Sequence, residues 1–126
     1  MRNPRAVVVD DNPINLELAT FLLESSGFDV EGVEDSATAI ARIQASAPDV
    51  VLMDIQMPGV DGLALAARLK ADPATAGLVI IACTAYAMKG DEAKMRAAGC
   101  DGYISKPLDV ATFAASVRSH LGPLTR

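Results

Sequence analysis

The feature that most constrains the fold of this chain is a set of five short apolar runs, separated by segments whose apolar residues recur at helical spacing. The runs occupy residues 6–9, 28–33, 50–53, 78–83 and 102–105. The stretches VVV and VVLM within them lack polar alternation, which is typical of strands buried on both faces of a sheet. A strand followed by a helix, repeated five times, predicts an α/β fold in which helices cover both faces of a five-stranded parallel sheet.

The segments between the runs carry signals for the start and the end of helices. In the first segment, Asn12 is a predicted N-cap, Pro13 the first helical residue and Gly27 the left-handed residue after the last turn. In the last segment, Asp109 is the predicted cap. The predicted buried stripes are Ile14, Leu18, Phe21 and Leu22 in the first helix, and Val110, Phe113, Val117 and Leu121 in the last.

Three further helices are predicted in the middle of the chain, where alanine is frequent and large apolar residues are few. A thin apolar stripe of this kind fits helices that pack on a sheet. The segments are marked by Ile40 and Ile43 before Pro48, by Leu65, Ala66 and Leu69 before Asp72, and by residues 87–98 before Gly99.

Size and composition indicate one globular domain. With 126 residues the chain is long enough for one core, and we expect a single domain over residues 1–126 with its core at about 5–121. No apolar run approaches the ~20 residues that span a bilayer and the N-terminus does not resemble a signal peptide, so we predict a cytoplasmic location without membrane contact. The formal net charge of −5 argues against a nucleic-acid partner.

The cysteines and the single histidine do not form a recognisable metal or catalytic motif. Cys83 ends an apolar run, Cys100 lies in a predicted turn, and neither belongs to a CxxC pair. His120 lies near the C-terminus and is interpreted as a helix-end residue. Zinc binding and Cys–His catalysis are therefore disfavoured.

Polar residues that could share one site follow four of the five apolar runs directly, whereas Glu34 and Asp35 after the second run lead into a helix. Asp10 and Asp11 follow the first run, Asp54 the third, Thr84 the fourth and Lys106 the fifth. In an open parallel sheet, ligands bind at the carboxyl ends of the strands. We therefore expect three carboxylates, one hydroxyl and one ammonium group to meet at the same edge of the sheet.

The chemistry of such a cluster favours a divalent cation and phosphoryl transfer. Two carboxylates about 4 Å apart repel by roughly 4 kcal/mol at an effective dielectric near 20, so a cation is needed to hold three of them together. Oxygen ligands suit Mg²⁺, or Mn²⁺ in its place. If Asp10 and Asp11 hold the metal, Asp54 is the natural nucleophile for a phosphoryl group. The hydroxyl and the ammonium group would then neutralise phosphoryl oxygens.

Each of these residues also has an ordinary structural explanation. Asp10 or Asp11 alone fits a helix cap, Asp54 a turn, Thr84 the polar end of a strand and Lys106 an exposed charge. These explanations are reasonable one at a time. Their occurrence after different strands at one edge favours a functional site.

The stretches VVVDDN, VVLMDIQMPGVDG, ACTAYA and GYISKP together resemble the receiver domain of two-component response regulators over essentially the whole chain. The chain is most similar to single-domain regulators of the DivK type. The resemblance implies the flavodoxin-like (βα)5 fold with strand order 2-1-3-4-5. It also implies that Asp54 accepts a phosphoryl group from a histidine kinase or a histidine phosphotransfer protein, within a phosphorelay.

The resemblance implies roles for the site residues as well. Asp11, Asp54 and the backbone carbonyl of Gln56 would ligate the metal, and Asp10 would act directly or through water. Thr84 and Lys106 would bind the phosphoryl oxygens.

Further positions follow from the same resemblance. Lys106–Pro107 would be a cis peptide, and Tyr103 would be the aromatic switch that responds to a movement of Thr84. The signal would be read by a downstream protein through the fourth helix, the fifth strand and the fifth helix. Such a protein catalyses its own phosphorylation and slow dephosphorylation, but it is not a turnover enzyme.

Gln56 and Tyr86 flank the expected path of an attacking water and are predicted modulators of dephosphorylation.

Other classes of function remain as alternatives. The chain could be a receiver fragment of a hybrid histidine kinase or of a larger regulator. An aspartate-dependent phosphohydrolase also uses a strand-end aspartate and Mg²⁺, but Gln56 stands where its general acid would be. A flavodoxin-like FMN carrier shares the architecture, but the acidic site would repel the cofactor phosphate and no phosphate-cradling loop follows the first run. A scaffold that is never phosphorylated is the last alternative.

Overall fold

A computed structural model describes residues 3–57, 60–84, 89–105 and 108–121. In chain order its elements are β1 (Arg5–Val9), α1 (Pro13–Ser25), β2 (Asp29–Val33), α2 (Ser36–Ser46), β3 (Val50–Asp54), β4 (Gln56–Met57), β5 (Val60–Asp61), α3 (Gly62–Ala71), β6 (Val79–Thr84), α4 (Lys89–Ala97), β7 (Gly102–Ser105) and α5 (Phe113–Ser119).

Five of the strands form a parallel sheet in the order β2-β1-β3-β6-β7. Counted along the chain, this is the order 2-1-3-4-5, and all five apolar runs of the sequence become strands, as predicted. The two short strands β4 and β5 pair with each other in antiparallel fashion and were not predicted. None of the helices in the described ranges has the length and hydropathy that crossing a membrane requires.

The sheet has an apolar layer on each face, because successive side chains of a strand point to opposite sides. In β1, Val7 and Val9 belong to a cluster that includes buried residues of α2, α3 and α4. Ala6 and Val8 belong to a second cluster that includes buried residues of α1 and α5. Helices therefore cover both faces of the sheet, as the alternation of strands and helices predicted.

The buried face of α1 differs from the predicted one. Its buried residues are Leu16, Ala19, Leu22 and Leu23. Ile14 and Phe21, which were predicted to be buried, are 75% and 64% exposed, and Leu18 is half-buried. Two stripes with the same three- and four-residue spacing exist on this helix, and periodicity alone does not choose between them. The packing of α1 against the sheet selects the stripe that contains Leu16.

The start of α5 also differs from the prediction. The helix begins at Phe113, and its N-cap Thr112 makes no capping bond with its side chain. Asp109 instead caps a preceding turn, because its Oδ1 accepts the N–H of Ala111 at 2.9 Å. Val110 lies in this turn and is 65% exposed, so its predicted burial is wrong. Phe113 and Val117 are buried as predicted.

The middle helices and the helix ends agree with the sequence. Of the apolar residues that mark the second and third predicted helices, Ile43, Leu65, Ala66 and Leu69 are buried and Ile40 is half-buried. Gly27 and Gly99 adopt φ values of 91° and 98°, the left-handed conformation expected after the last turn of a helix. The first residues of the predicted fourth helical segment lie outside the described residues, and α4 is described from Lys89.

Candidate functional site

The site is a group of three aspartates at the carboxyl edge of the sheet. Asp10 follows β1 directly, Asp11 comes next, and Asp54 is the last residue of β3. One carboxylate oxygen from each lies within 4.8 Å of the other two. Asp10 and Asp54 are only 6% and 5% exposed, whereas Asp11 is exposed. The structure thus brings together the three carboxylates that the sequence predicted to meet.

Strand register explains why these residues and Thr84 lie at one level of the sheet. Val9 is opposite Met53 across the β1–β3 pair, so Asp10 and Asp54 each come one residue later on neighbouring strands. Asp54 is opposite Cys83 on β6, and Thr84 is the next residue. Thr84 is 1% exposed. Its hydroxyl is therefore held in the interior beside the strand that carries Asp54.

Asn12 ties the acidic loop to the start of α1. Its backbone N–H donates to Oδ1 of Asp10 at 2.9 Å. Its own Oδ1 accepts from the N–H groups of Ile14 at 2.9 Å and Asn15 at 3.3 Å. The sequence predicted the cap but not the contact with Asp10. These three hydrogen bonds together orient the Asp10 carboxylate relative to the helix.

Gly62 is a site-supporting residue that sequence reasoning missed. It is the first residue of α3 and packs against the end of β3. A Cβ atom at this position would lie 2.5 Å from Cα of Ile55 and 2.8 Å from the carbonyl oxygen of Asp54. Only glycine allows the helix backbone to approach the strand this closely. The residue pair Asp61–Gly62 in the PGVDG stretch was the available signal.

The donor set fits the divalent cation that the sequence predicted. Its three carboxylates supply oxygen ligands, which Mg²⁺ prefers. Asp10 and Asp54 are largely removed from water, and like charges repel more strongly in such a buried environment. A cation among the three carboxylates therefore relieves an electrostatic cost. No fourth aspartate or glutamate, cysteine or histidine joins this group within the described residues.

The other predicted site residues fall into two sets. Tyr103 lies on β7 and is 38% exposed, and the backbone of Gln56 lies in β4. Lys106 and Tyr86, like Pro107, lie outside the described residues. Of the predicted residues other than the aspartates, Thr84 lies at the carboxyl end of the sheet that carries the three aspartates. Tyr103 lies on β7, the outermost strand, which pairs with β6.

Both cysteines pack in the interior, the position that the sequence favoured for Cys83. Cys83 and Cys100 are buried, and neither of these two described residues is in a disulfide. Burial, followed by the nearby charge of Asp101, raises the pKa of the Cys100 thiol, and Lys70 opposes this effect only in part. A raised thiol pKa disfavours the reactive thiolate. His120 is the C-cap residue of α5, the helix-end position predicted for it.

Comparison with known proteins assigns the family. The model of the response regulator receiver domain matches residues 6–118. The chain is 41% identical over 120 residues to the polar-differentiation response regulator DivK of Brucella anthropi, covering 94% of this chain and 98% of that protein.

Solved structures share the fold. The chemotaxis response regulator CheY4 of Vibrio cholerae superposes with a TM-score of 0.88 at 22% identity, covering 94% of this chain and 99% of that one. The receiver domain of a signal transduction histidine kinase from Syntrophus aciditrophicus gives a TM-score of 0.85 at 28% identity, covering 98% and 93%.

Family membership carries several properties with it. Receiver domains generally use Mg²⁺ at an acidic pocket, interact with histidine kinases or phosphotransfer proteins and with downstream targets, and are typically not turnover enzymes. The phosphohydrolase and FMN-carrier alternatives are therefore set aside. With this fold, this acidic edge and these relatives, the chain belongs to the family of response regulator receiver domains that act in two-component phosphorelay signalling.

Proposed function

We propose that Asp54 is the residue that accepts the phosphoryl group, and that Asp10, Asp11 and Asp54 hold the divalent cation needed for the transfer. The observation that carries the proposal is the approach of the three carboxylate groups to within 4.8 Å of one another. Asp54 ends the central strand β3, whose residues are all buried, so its carboxylate is held on a rigid element. Asp10 is already oriented by the N–H of Asn12.

The proposed metal site contains the three aspartates and the backbone carbonyl of Gln56, with Asp10 acting directly or through water. Mg²⁺, or Mn²⁺ in its place, would supply positive charge beside the oxygens of the transferred phosphoryl group. Thr84 and Lys106 would donate hydrogen bonds to the same oxygens. A divalent cation and one lysine together balance the charge of three carboxylates, which supports this division of roles.

The transfer itself is a displacement at phosphorus. A carboxylate oxygen of Asp54 forms a bond to the phosphorus of a phosphohistidine, and the phosphorus–nitrogen bond breaks. Its electron pair stays on the imidazole nitrogen of the partner, and the product is an acyl phosphate on Asp54. Hydrolysis by water later breaks the bond between phosphorus and the carboxylate oxygen and releases inorganic phosphate. The chain itself thus assists both its phosphorylation and its slow dephosphorylation, and Gln56 and Tyr86 are proposed to tune the second step.

The proposed output is a change at the surface formed by α4, β7 and α5. The phosphoryl group adds roughly −1.5 to −2 charges and three acceptor oxygens next to Thr84. A shift of Thr84 towards these oxygens would open space for the ring of Tyr103, which is 38% exposed on the edge strand β7. The phosphate would bias two existing conformations of this surface. A downstream protein, rather than a nucleic acid, is the proposed reader, and the cytoplasmic location stays a prediction.

The test is phosphorylation of Asp54→Asn by a small-molecule donor such as acetyl phosphate in the presence of Mg²⁺. The variant should lose labelling completely while circular dichroism and the unfolding midpoint show an intact fold. Asp29→Asn, an exposed aspartate at the start of β2, is the matched control and should be labelled like the wild type. Labelling of Asp54→Asn at the wild-type rate would contradict the assignment.

A further inference from the structure

A cavity of about 320 Å³ lies at the amino ends of β1 and β2, beside the C-terminal end of α2. The two strands line one side of it, and Ala45, Ser46 and Pro48 line the other. Asp10, Asp11 and Asp54 lie at the carboxyl ends of their strands. The cavity is therefore at the opposite edge of the sheet from the proposed phosphoryl-transfer site and is separate from it.

The cavity forms where α2 stops covering the sheet. The helix ends at Ser46, and Ala47 then adopts the left-handed conformation with φ 47°. Further along the strands, Val9 and Val33 pack in the same apolar cluster as Ile43 of α2. The face of the sheet that is apolar beneath the helix continues past the end of the helix, and there it carries charged residues.

Arg5 and Asp29 are these charged residues. They are Cα partners across the β1–β2 pair, and they share a face with Val9 and Val33 because alternate residues of a strand point to the same side. Both are exposed. Opposite charges in such a cross-strand position normally attract each other. In the described part of the chain, however, Arg5 and Asp29 form no ion pair with each other.

Arg5 and Asp29 both keep unused hydrogen-bonding capacity. Nη1 of Arg5 donates to the carbonyl oxygen of Ser46 at 3.1 Å, which leaves most of its N–H groups available. The carboxylate of Asp29 makes no hydrogen bond or ion pair with any other described residue. The cavity thus offers a guanidinium donor and a carboxylate acceptor side by side.

The other acidic residue of the cavity is already satisfied. Glu31 accepts hydrogen bonds from the Ser46 hydroxyl at 2.8 Å and from the Arg42 guanidinium. It therefore acts as a fixed part of the wall. A purely anionic ligand at Arg5 would also face Asp29, and a purely cationic ligand at Asp29 would face Arg5, so a ligand that carries both charges is the better match.

We infer that this cavity binds a free α-amino acid with an apolar side chain. The ammonium group of the ligand pairs with Asp29, and its carboxylate pairs with Arg5, whose planar N–H groups suit a carboxylate. Neighbouring strands are about 4.8 Å apart, a separation that two charged groups on one carbon atom can bridge.

The size and the apolar lining of the cavity agree with such a ligand. A volume of about 320 Å³ is at the small end of the range for ligand pockets, so it suits a small molecule. Val7, Ala45 and Pro48 line the cavity and provide the surface against which the ligand's side chain packs. Because Arg5 and Asp29 are exposed, their ion pairs with the ligand are screened, and we expect a Kd on the order of 1 mM.

The experiment titrates the full chain with leucine and follows the amide chemical shifts of Val7, Val30 and Ala45, which line the cavity. The shifts should saturate. Isoamylamine, which lacks the carboxylate of leucine, and isocaproate, which lacks its ammonium group, should each bind about tenfold more weakly. Absence of saturable shifts, or equal binding of leucine and either analogue, would overturn the inference.

Variants of the two charged residues test their roles. Asp29→Asn and Arg5→Gln should each weaken leucine binding about tenfold, because each removes one ion pair. Glu17→Gln and Arg96→Gln are the matched controls, since they change the same charges outside the cavity, and they should bind leucine like the wild type. Equal affinities in the cavity variants and their controls would contradict the assignment.

A third comparison blocks the cavity without changing its charges. Ala45→Leu should abolish leucine binding, because the larger side chain fills the space beside Val7 and Pro48. Ala41→Leu, at another exposed alanine of α2 that does not line the cavity, should leave binding unchanged, since helical side chains point towards the N-terminus and away from it. Circular dichroism checks that both variants are folded. Undiminished binding by folded Ala45→Leu would place the ligand elsewhere and overturn the inference.

Discussion

At the scale of single residues, the site depends on a close backbone approach at a glycine. Gly62 lets the first turn of α3 touch the backbone that immediately follows Asp54, the proposed phosphoryl acceptor. Its Cβ position is blocked by backbone atoms of Ile55 and Asp54, which cannot move aside as a flexible side chain would. A larger residue must therefore displace either the helix or the end of β3.

Gly62→Ala is expected to lower the free energy of unfolding by about 1–3 kcal/mol, the usual cost of overpacking, and to slow labelling of Asp54. Urea unfolding and the rate of labelling by acetyl phosphate measure the two effects. Gly77→Ala is the matched control, because a Cβ at Gly77 meets nothing within 4 Å. If the two variants had the same stability and the same labelling rate, the close approach at Gly62 would not matter to the site.

Substitution of Thr84 should separate the proposed phosphoryl transfer from its proposed readout. Thr84 is buried and lies one residue beyond Cys83, the residue opposite Asp54. Loss of the Thr84 hydroxyl should therefore affect the conformational response more than the phosphoryl transfer. Thr84→Ala is expected to keep labelling of Asp54 but to abolish the phosphorylation-dependent change at Tyr103, followed by its ring resonances. Thr84→Ser keeps the hydroxyl and should respond normally. A phosphorylation-dependent shift of Tyr103 in Thr84→Ala would contradict the switch role.

At the scale of elements, the start of α1 links helix stability to the acidic loop. The Asn12 side chain satisfies two N–H groups of the first turn, and its backbone N–H binds Asp10. A substitution of the Asn12 side chain removes the two capping bonds and leaves the backbone bond to Asp10 available. The two contributions of this residue can therefore be measured apart.

Asn12→Ala should lower the free energy of unfolding by about 1 kcal/mol, because the N-cap bonds are lost. Asn12→Ser, which retains a capping oxygen, should lose a few tenths of that amount at most. Labelling of Asp54 in Asn12→Ala should stay close to the wild-type rate, since the backbone bond to Asp10 does not need the side chain. A variant as stable as the wild type would show that the first turn is satisfied by water instead.

At the scale of the whole molecule, a polar network joins the edge strand β2 to α2. Glu31 accepts hydrogen bonds from the Ser46 hydroxyl at 2.8 Å and from the Arg42 guanidinium. These bonds, the first being the larger influence, hold the pKa of the Glu31 carboxyl below its ordinary value, and burial opposes them. A carboxyl with a lowered folded pKa stabilises the fold at pH above its ordinary pKa and loses this contribution as pH falls through the folded value.

Glu31→Gln should therefore be less stable than the wild type at about pH 7, by at most about 1 kcal/mol because the pair is partly exposed and screened by solvent. The difference should shrink as the pH falls through the lowered pKa of Glu31, because the wild-type carboxyl then becomes protonated. Urea unfolding at several pH values measures it. Ser46→Ala should show the same direction of change. A difference independent of pH would place its origin elsewhere than in the Glu31 charge.

The sequence predicted the five strands, their parallel arrangement and the three aspartates because each depends on local information. Apolar runs define buried strands, and the edge at which parallel strands end decides which polar residues meet. The exposed side of α1 and the start of α5 were predicted incorrectly, since Ile14, Phe21 and Val110 have helical spacing but no neighbouring surface to cover. Gly62 was missed because a close backbone approach leaves no pattern in periodicity.

By itself, then, the sequence determined the order of elements, the edge that carries the site and the residue types that chemistry there requires. Only the tertiary structure decided the rotation of α1, and with it the exposure of Phe21. The physical reason is that a helix with two stripes of similar spacing has no intrinsic preference between them, and burial against β1 and β2 supplies it. The tertiary structure also set the distance between the three carboxylates. Strand register, rather than any single residue, controls this distance.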